Sequence, residues 1–400
     1  MRALHTADWH LGRTLEGRKR EDEQAAVLDE MCRIADEQQV DIVLMAGDVF
    51  DSVNPPASAE ALFYDTAQRL SLNGQRPLVV IAGNHDSPDR LEAARPLANR
   101  QGITIIGRPV VEPVRVPIKR TDELLVLSCV PYPSEARLNE VLSAVNEETK
   151  IQAAYDRRLA ALFAEHAAQF QKDTVNLLMS HLFVAGGRES ASERPIQVGG
   201  AYTVSPSAFP AEAQYIALGH LHRPQTIHHQ GGAIRYAGSP LAYSFSEAGQ
   251  TKSVTIIDAQ PGKSAQIESV PLSAGRPLVT WQAPNGIEEV RHWLDEGHDA
   301  GAWIDLEITL RDALSIHDIQ DLRQRNDHFV SIRPIYPDKP AAERRAIRSL
   351  PIDQLFIRFY EEQMQGAEPE ENLVQLFLQL VNEETAESEA AAGVTRDATD

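Results

Sequence analysis

The sequence predicts an α/β sandwich in which two sheets are flanked by helices, and two observations favour it. In the first hundred residues, short apolar runs alternate with amphipathic helical stretches, which is typical of strands joined by helices. Further apolar runs then follow one another in series, as the strands of a second sheet would. Because an ordinary domain has about 100–200 residues, the 400 residues predict two or three domains.

The first domain is expected to span residues 1–272 and to end in the connector PLSAGRP. Its strands are short runs rich in apolar residues, and its helices carry apolar stripes. The expected strands are Ala3–Thr6, Ile42–Ala46, Leu78–Ala82, Ile103–Ile106, 124–130, 174–180, 214–218, 233–237, 253–258 and 265–270, and the expected helices lie at about 20–38, 57–72, 88–100 and 135–170.

A small α+β domain is expected at 277–337, and a helical segment at 350–385. The small domain reads strand, helix, strand, helix, strand, and the segment holds two amphipathic helices. Residues 386–400 are rich in Glu, Ala, Thr and Asp, which predicts a disordered acidic tail. The small domain's elements are expected at 278–282, 286–296, 302–309, 315–325 and 328–335, and the two helices at 352–364 and 369–384.

The two C-terminal helices each carry an apolar stripe at three- and four-residue spacing. Helices beyond a connector do not easily bury both stripes in each other, which favours the groove or coiled coil of a partner. Docking onto the chain's own domains is the alternative. The stripes are Leu355, Phe356, Phe359 and Tyr360, then Leu373, Leu376, Phe377, Leu380 and Val381.

The net charge of −20 bears on any nucleic-acid partner, because DNA binding usually rests on Lys and Arg that neutralise phosphates. Eleven acidic residues and one base, Arg396, lie between Glu361 and Asp400, so these forty positions carry −10 and the other 360 carry −10. Bound divalent cations would offset some carboxylates. The charge therefore argues against a protein that holds DNA alone and is compatible with one that a partner helps.

Composition also excludes several classes of protein. Cys32 and Cys129 are too few for a disulfide framework or a cysteine zinc site. The start, MRALHTADWH, lacks the apolar segment of a signal peptide, and no run of about 18 apolar residues predicts a membrane span. We therefore expect a cytoplasmic protein without a membrane partner.

Five short polar segments share one position, because each follows a predicted strand directly. Ligand sites of α/β folds gather at the carboxyl edge of a sheet, where side chains from separate strands converge. Carboxylate, imidazole and amide oxygen are also the mixture that binds first-row divalent metals. The segments are Asp8-Trp9-His10, Gly47-Asp48, Gly83-Asn84-His85-Asp86, Ser180-His181 and Gly219-His220-Leu221-His222.

A pair of metal ions suits the hydrolysis of a phosphodiester. The charge of the phosphate repels hydroxide and the alkoxide is a poor leaving group, and two cations about 3.5–4 Å apart offset both. A histidine suits protonation of the leaving oxygen near neutral pH, particularly if a carboxylate holds its other nitrogen. His85 with Asp86 beside it offers such a pair.

Each of these residues also has an ordinary structural explanation. Asp48 fits a turn, Asn84 fits a helix N-cap ahead of 88–100, and His181 fits a hydrogen-bonded core residue. These explanations would have to hold for every segment at once, so the combination favours the metal site.

The motifs DWH, GDVFD, GNHD, SHLF and GHLH, in this order and rough spacing, resemble those of the calcineurin-like metallophosphoesterases. More narrowly, HTADWHLGRTLEGRKR and VIAGNHDSPDRL are similar to the SbcD family, the bacterial branch of the double-strand-break repair nucleases. The resemblance implies a calcineurin-like four-layer α/β/β/α sandwich with a small α+β capping domain and C-terminal partner-binding helices. It covers about 1–270 by motif and the C-terminal regions by layout.

The resemblance also implies the ligands of two manganese ions, although ligand type alone does not separate manganese from iron or zinc. His85 would contact the scissile phosphate or the leaving group, and Asp86 would orient it. Some relatives carry His where this chain has Asp51, so Asp51 is assigned no chemical role. One ion would be held by Asp8, His10, Asp48 and His222, and the other by Asp48, Asn84, His181 and His220.

Activities and partners follow from the resemblance alone. It implies a manganese-dependent 3′-to-5′ double-strand exonuclease that also acts as a hairpin-opening, single-strand endonuclease, assisted by ATP, in DNA recombination, repair and replication. It implies an SbcC-type ATPase on the C-terminal helices and a homodimer within a heterotetramer. In that family helices such as 57–72 and 88–100 pair across a two-fold axis, and packing on their own sheet is the alternative.

Two other functions compete with the nuclease. A metallophosphatase or small-molecule phosphodiesterase would use the same dinuclear site, but phosphoprotein phosphatases tend to have GNHE and an arginine after the second motif, and this chain has GNHD and no arginine between Asp48 and Arg69. A non-catalytic scaffold would have lost ligands, and none of the seven is missing. A basic cluster at Arg13, Arg18, Lys19 and Arg20 is left open between a phosphate contact and a solvated helix start.

Overall fold

A computed structural model describes residues 1–110, 112–134, 148–193 and 202–336, together with 354, 356, 357, 360, 369 and 372–377. The chain forms two compact units. The first consists of Met1–Ala283, Ile287–Ile308 and Ser315–Arg333, and the second of Pro284–Gly286, Thr309–Leu314 and Pro334–Asp400. The predicted domain boundaries stay predictions, and the predicted acidic tail at 386–400 lies outside the described residues.

The strands and helices lie close to the positions that the apolar runs and stripes predicted. The strands are β1 (Arg2–Thr6), β2 (Ile42–Ala46), β3 (Leu78–Ile81), β4 (Ile103–Ile106), β5 (Val114–Ile118), β6 (Glu123–Val130), β7 (Val175–His181), β8 (Phe183–Val184), β9 (Thr203–Val204), β10 (Tyr215–Gly219), β11 (Gln225–Ile227), β12 (Ala233–Tyr236), β13 (Ser253–Asp258), β14 (Gln266–Pro271), β15 (Leu278–Ala283), β16 (Trp303–Thr309) and β17 (Phe329–Ile335). The helices are α1 (Glu21–Glu37), α2 (Ala57–Leu70), α3 (Pro88–Glu92), α4 (Arg95–Ala98), α5 (Glu148–Ala167), α6 (Ile287–Asp295) and α7 (Ile316–Arg325). None of the helices in the described part of the chain combines the length and apolar character that a membrane span needs.

The first sheet has the order β14-β13-β1-β2-β3-β4. Strands β1 to β4 are parallel to one another, whereas β13 pairs antiparallel with β1 and β14 antiparallel with β13. All five residues of β2 are apolar and buried, as is usual for a parallel strand that is covered on both faces. The carboxyl ends of β1, β2 and β3 therefore lie side by side at one edge.

The second sheet has the order β11-β12-β10-β7-β6-β5. Its four central strands are parallel, and the edge strands β5 and β11 are antiparallel to their neighbours. The two strands that precede the last predicted motifs, β7 and β10, are hydrogen-bonded neighbours with His181 opposite Gly219. Their carboxyl ends also share one edge.

The two sheets stack face to face, with helices on both outer faces. Successive residues of a strand point to opposite sides of a sheet. Ala3, Ile42 and Leu44 of the first sheet pack in one cluster with Leu177 and Ala217 of the second. The alternate residues of β1 and β2 pack under α1 and α2, and those of β7 and β10 pack under α5. This order confirms the predicted α/β/β/α sandwich.

The third sheet has the order β15-β16-β17, and most of its residues belong to the first unit, next to α1. Leu278 and Trp303 belong to one buried cluster with Leu15. The carboxylate of Glu23 in α1 accepts hydrogen bonds from Trp303 Nε1 (2.8 Å) and from the backbone amide of Arg276 (2.7 Å). These contacts attach the small sheet to the start of α1.

The local predictions were wrong for one helix and incomplete for four strands. The helix predicted at 88–100 is divided into α3 and α4, and Pro96 lies in the first turn of α4, where its missing amide does not interrupt a helical hydrogen bond. Strands β5, β8, β9 and β11 were not predicted. In β5, Arg115 and Pro117 break the apolar run. Pro117 is tolerated there because β5 is an edge strand.

The helices α2 and α3 pack on their own sheet, as the intrachain alternative expects. Phe63 and Leu70 of α2 and Leu91 of α3 are buried in the cluster under α1 and α2. Tyr64 is 40% exposed and Leu97 is 70% exposed. A two-fold dimer through this face stays a prediction.

In the second unit, the described residues of the two predicted C-terminal stripes include one pair of contacting rings. Phe356 of the first stripe stacks on Phe377 of the second with ring centroids 4.2 Å apart. Most of the predicted segment 350–385 lies outside the described residues. Within its described part, residues 372–377 are helical, and Leu373 and Leu376 are exposed.

Candidate metal centre

All seven predicted ligands lie at the carboxyl ends of parallel strands. The two sheets meet at this edge, since the ring of His181, at the end of β7, donates from Nδ1 to the carbonyl of Ala46, at the end of β2 (2.9 Å). The structure therefore brings together side chains that are more than two hundred positions apart. Asp8 and His10 follow β1, Asp48 follows β2, Asn84 follows β3, His181 ends β7, and His220 and His222 follow β10.

Four of these residues have a left-handed backbone. The φ angle is 54° at Asp8, 44° at His10, 51° at Asp48 and 104° at His220. Such conformations cost roughly 1–3 kcal/mol each outside glycine and cluster at functional sites. Hydrogen bonds hold them in place: the amide of His10 donates to the carbonyl of Asp48 (3.1 Å), and the amide of His220 donates to Oδ1 of Asp8 (2.8 Å). The backbone is strained at the places where the predicted ligands converge.

Two glycines beside the ligands leave no room for a side chain. A Cβ atom on Gly83 would lie 2.1 Å from Oδ1 of Asp48. A Cβ atom on Gly47 would lie 2.4 Å from Nδ1 of His181, and φ at Gly47 is +90°. These glycines are required because the two loops approach the ligands more closely than any Cβ allows.

Asp8, His10 and His222 form the first group of donors, and all three are buried. Nε2 of His10 lies 3.0 Å from Nε2 of His222, so the two rings turn these nitrogens toward the same point. Burial lowers the pKa of His10, and burial lowers the pKa of His222 to about 3. Near pH 7 both imidazoles are therefore neutral, which is the form that binds a metal.

Asp48, Asn84, His181 and His220 form the second group. Because Nδ1 of His181 donates to a carbonyl, its Nε2 faces the centre, 2.9 Å from Oδ1 of Asn84 and 3.3 Å from Oδ2 of Asp48. Nδ1 of His220 lies 3.3 Å from the same oxygen of Asn84. An imidazole nitrogen fixed by a second hydrogen bond to the backbone is the usual arrangement of a metal-binding histidine.

One carboxylate oxygen lies between the two groups. Oδ2 of Asp48 is 3.6 Å from Nε2 of His10 and 3.3 Å from Nε2 of His181. Burial opposes its ionisation, but the imidazole of His181, followed by those of His10 and His85, holds the pKa of Asp48 well below its ordinary value. In contrast, burial and then the charge of Asp48 raise the pKa of Asp8 to about 8. Two carboxyl groups this close need positive charge if both are to be ionised.

The residues fit a divalent cation. Buried polar atoms normally have a hydrogen-bond partner, but among the described residues two potential ligand atoms in this site have none: Oδ2 of Asp8 and Nε2 of His220. The donor atoms of Asp8, His10 and His222 lie within 4.8 Å of one another, as do those of Asp8, Asp48 and His181. Buried carboxylates packed this closely repel one another, and a cation bound between them and the imidazole nitrogens would stabilise the site.

His85 lies beside the two groups, but Asp86 does not hold its ring. The carboxylate of Asp86 accepts from the backbone amides of Val49 (3.2 Å), Phe50 (3.0 Å) and Gly83 (2.8 Å). Nδ1 of His85 instead donates to the carbonyl of Asp51 (2.7 Å). The prediction that Asp86 orients His85 is corrected, because adjacent residues in this turn point in different directions: Asp86 ties two ligand loops together.

Asp51 is the residue that sequence reasoning missed. Its carboxylate Oδ1 lies 3.5 Å from Nδ1 of His10, and its carbonyl orients His85. Burial opposes ionisation of Asp51, but the contact with His10 outweighs it and lowers the pKa of Asp51. A second carboxylate three positions after Asp48, in the same short loop, was the available signal.

The basic cluster after the first motif divides between two roles. Arg20 is buried and pairs with Glu23 of α1 (2.7 Å), so it is structural. Arg13 donates to the carbonyl of Ser192 (2.7 Å) and, together with Asp51 and His85, lines a cavity of about 540 Å³ beside the metal centre. A phosphate contact therefore stays open for Arg13 and is excluded for Arg20.

Comparison with known proteins agrees with this geometry. The sequence profile of the calcineurin-like phosphoesterases matches residues 1–224. This range contains all seven donors, from Asp8 to His222. The matched range therefore contains every side chain of the two donor groups.

Three relatives with one name match most of the chain. The SbcD component of the nuclease SbcCD from Bacillus subtilis strain 168 is 53% identical over 96% of this chain and 98% of its own length. The proteins of that name from Rhodobacter capsulatus and Escherichia coli K12 are 37% and 32% identical, over 70% and 80% of this chain and 71% and 80% of their own. The chain therefore belongs to the calcineurin-like phosphoesterases and, within them, to the SbcD family.

Proposed function

We propose that this chain is the manganese-dependent DNA nuclease subunit of an SbcCD-type complex. In this proposal it degrades double-stranded DNA from 3′ to 5′ and acts as a hairpin-opening, single-strand endonuclease, with ATP hydrolysed by its partner, in DNA recombination, repair and replication. The observation that carries the proposal is that the buried donors Asp8, His10 and His222, and likewise Asp8, Asp48 and His181, lie within 4.8 Å of one another. Asn84 and His220 lie beside the second group, and the relatives of the chain are named as nuclease subunits.

The two donor groups support a dinuclear site. Asp8, His10 and His222 would hold one manganese ion, and a second set, Asn84, His181 and His220, would hold the other. Asp48 would bridge them, because its Oδ2 lies near nitrogens of both groups. Other divalent metals suit the same donors.

When bound, two divalent ions lower the pKa of a water molecule and offset the charge of the phosphate. The chain itself supplies a positioned proton donor. His85 donates from Nδ1 to the carbonyl of Asp51, so the imidazolium form of the ring would have its Nε2–H free to give a proton to the oxygen of the leaving group. The amide of His85 donates to Oδ1 of Asp48 (2.9 Å), so the ring is fixed relative to the bridging ligand. Its half-buried position on the cavity gives access to a substrate.

The proposal is tested with the purified full chain and Mn²⁺, with and without the ATPase partner. The substrates are a labelled DNA hairpin and p-nitrophenyl phosphate. Cleavage of the hairpin is expected. Hydrolysis of the small ester alone would support a metallophosphatase instead, and no turnover of either substrate would support a non-catalytic scaffold.

Substitution of His85 tests its role. His85→Ala is expected to lower hairpin cleavage by about 10²–10⁴-fold, the usual contribution of a general acid, and to leave two bound Mn²⁺ per chain. The alanine keeps the backbone amide that donates to Asp48. His228→Ala, at an exposed position, is the control. Loss of manganese from His85→Ala would make His85 a ligand and overturn the roles given above.

The C-terminal helices are proposed to bind an SbcC-type ATPase. Leu373 and Leu376 are 36% and 52% exposed on a helical stretch, and a net charge of −20 suits a nuclease that relies on a partner to hold DNA. Deletion of 352–384 is expected to abolish capture of the ATPase and to retain manganese-dependent nicking. Loss of both would mean that the helices belong to the nuclease fold. The homodimer within a heterotetramer and the cytoplasmic location stay predictions.

A further inference from the structure

A buried set of polar side chains lies behind His222, and the two-metal proposal does not use it. Ser192 is 5% exposed, Glu247 is fully buried and Lys252 is 7% exposed. Lys and Glu are seldom buried, because an ion removed from water is costly unless it is paired and hydrogen-bonded. Such a set needs a structural or functional reason.

Within the set, both Lys252 and Ser192 donate hydrogen bonds to the carboxylate of Glu247. Lys252 Nζ forms an ion pair with Oε2 of Glu247. Oε1 of Glu247 accepts from the hydroxyl of Ser192 (2.5 Å) and from the backbone amide of Tyr243 (3.1 Å). Both oxygens of Glu247 are therefore acceptors.

The direction of these bonds fixes the proton on His222. Oγ of Ser192 lies 2.6 Å from Nδ1 of His222. Because the single hydroxyl proton of Ser192 goes to Glu247, its oxygen acts as the acceptor toward His222. Nδ1 of His222 must then carry the hydrogen, and its Nε2 has a free lone pair. This Nε2 is the atom that faces Nε2 of His10 at 3.0 Å.

The backbone of His222 is held as firmly as its ring. Its amide donates to Oε1 of Glu193 (2.8 Å), and its carbonyl accepts from Nζ of Lys252 (2.9 Å) and from the amide of Ser239 (3.1 Å). Every polar atom of His222 other than Nε2 thus has a fixed partner. A ligand held in this way has its orientation and tautomer set before a metal arrives.

We propose that Ser192, Glu247 and Lys252 are positioning residues for the metal centre. They fix His222 in the Nδ1–H tautomer and hold its ring in the orientation that binds a cation, and so they set the affinity of the one metal site to which His222 contributes. This inference rests on the ligand assignment of the proposed function. It adds a second layer to that site, which comes from the loop before residue 194 and from the turn and strand at 244–253.

Manganese titration of the full chain by calorimetry, without DNA, tests the proposal. Ser192→Ala is expected to weaken one of two manganese sites by about 10–100-fold, the usual effect of losing an outer partner, and to leave the other unchanged. Ser192→Thr keeps a hydroxyl and is expected to retain the affinity. Ser192→Cys fills the same space with a weak hydrogen-bonding group, so it replaces the alanine variant if that variant unfolds.

The chain offers a matched control. Ser128 is also buried, and its Oγ lies 2.7 Å from Nδ1 of His166, away from the predicted ligands. Ser128→Ala removes a serine–histidine hydrogen bond of similar length and is expected to leave both manganese sites unchanged. Thermal unfolding without metal measures the loss of stability in each variant.

Three results would overturn the positioning role: parental affinity in Ser192→Ala, equal losses in Ser192→Ala and Ser128→Ala, or equal weakening of both metal sites. The first would mean that His222 needs no such support, and the others would reduce Ser192 to a general contribution to folding. Because metal affinity is measured without DNA, failure of hairpin cleavage would refute the proposed function alone. An unchanged affinity in Ser192→Ala would refute the positioning role alone.

Discussion

Asp86 provides the sharpest test of the site, because sequence and structure give it different roles. Its position beside His85 predicts that it orients that ring. The structure places its carboxylate on three backbone amides, those of Val49, Phe50 and Gly83. Two loops that carry predicted ligands therefore depend on one buried carboxylate. Asp86→Ala would remove the acceptor that these three amides share.

The magnitude follows from those three bonds. Hydrogen bonds to a charged acceptor contribute about 1.5–3 kcal/mol each, and bonds that share one carboxylate contribute less than their sum, so Asp86→Ala is expected to lower the free energy of unfolding by about 3–6 kcal/mol. Asp86→Asn keeps one acceptor oxygen and turns an amide NH₂ toward at least one N–H group. Its expected loss is about 1–3 kcal/mol.

Urea denaturation of the metal-free chain, followed by circular dichroism, measures the loss. Asp89→Ala is the control, because Asp89 is 73% exposed and pairs with Arg108 at the surface, where such a pair contributes at most about 1 kcal/mol. The reasoning fails if Asp86→Ala unfolds at the parental urea concentration and cuts DNA more slowly. That result would return Asp86 to the role of orienting His85.

Two further predictions concern a loop contact and a glycine. The carboxylate of Glu30 accepts from the amide and hydroxyl of Ser273; burial opposes its ionisation, but these bonds lower the pKa of Glu30 below its ordinary 4.5. A carboxylate with a lowered pKa in the folded state stabilises the fold above pH 4.5, and this stabilisation is lost as the pH falls through the folded-state pKa. The difference in unfolding free energy between the parent and Glu30→Gln, measured by denaturation, is therefore expected to be smaller at pH 3 than at pH 7. An equal difference at the two pH values would contradict this. Gly83→Ala would place Cβ 2.1 Å from Oδ1 of Asp48, so this variant is expected to lose manganese binding in calorimetry. In the control, Gly301→Ala, the added Cβ has no atom within 4 Å, and this variant is expected to bind manganese as the parent does. Equal manganese binding by the two variants would refute the steric argument.

The positions of the strands and the identity of the predicted ligands could be predicted from the sequence because both depend on local pattern. A buried parallel strand is a run of apolar residues wherever it lies, as in Ile42–Ala46. A polar residue directly after such a run must lie at the carboxyl edge of the sheet. Asp8, Asp48 and His181 were found by this rule, and the structure brings their side chains together.

The hydrogen-bond partners of the ligands could not be predicted in this way. Ser192 reaches His222 across 30 positions, and Glu247 reaches Ser192 across 55. No periodicity relates these residues, because their contact depends on which loops meet when the two sheets stack. The same holds for His85, whose partner is a backbone carbonyl, that of Asp51, and every residue type carries a carbonyl.

The sequence by itself therefore determined the layers of the fold and which side chains follow its strands, because the apolar character of a strand and the residue types of a turn are local properties of the sequence. Only the tertiary structure decided which way each side chain turns and what holds it. In the turn at 83–86, neighbouring residues have different partners: His85 contacts the carbonyl of Asp51, and Asp86 contacts the amides of Val49 and Phe50. The direction of a side chain in such a turn depends on backbone angles, which the residue types alone do not specify.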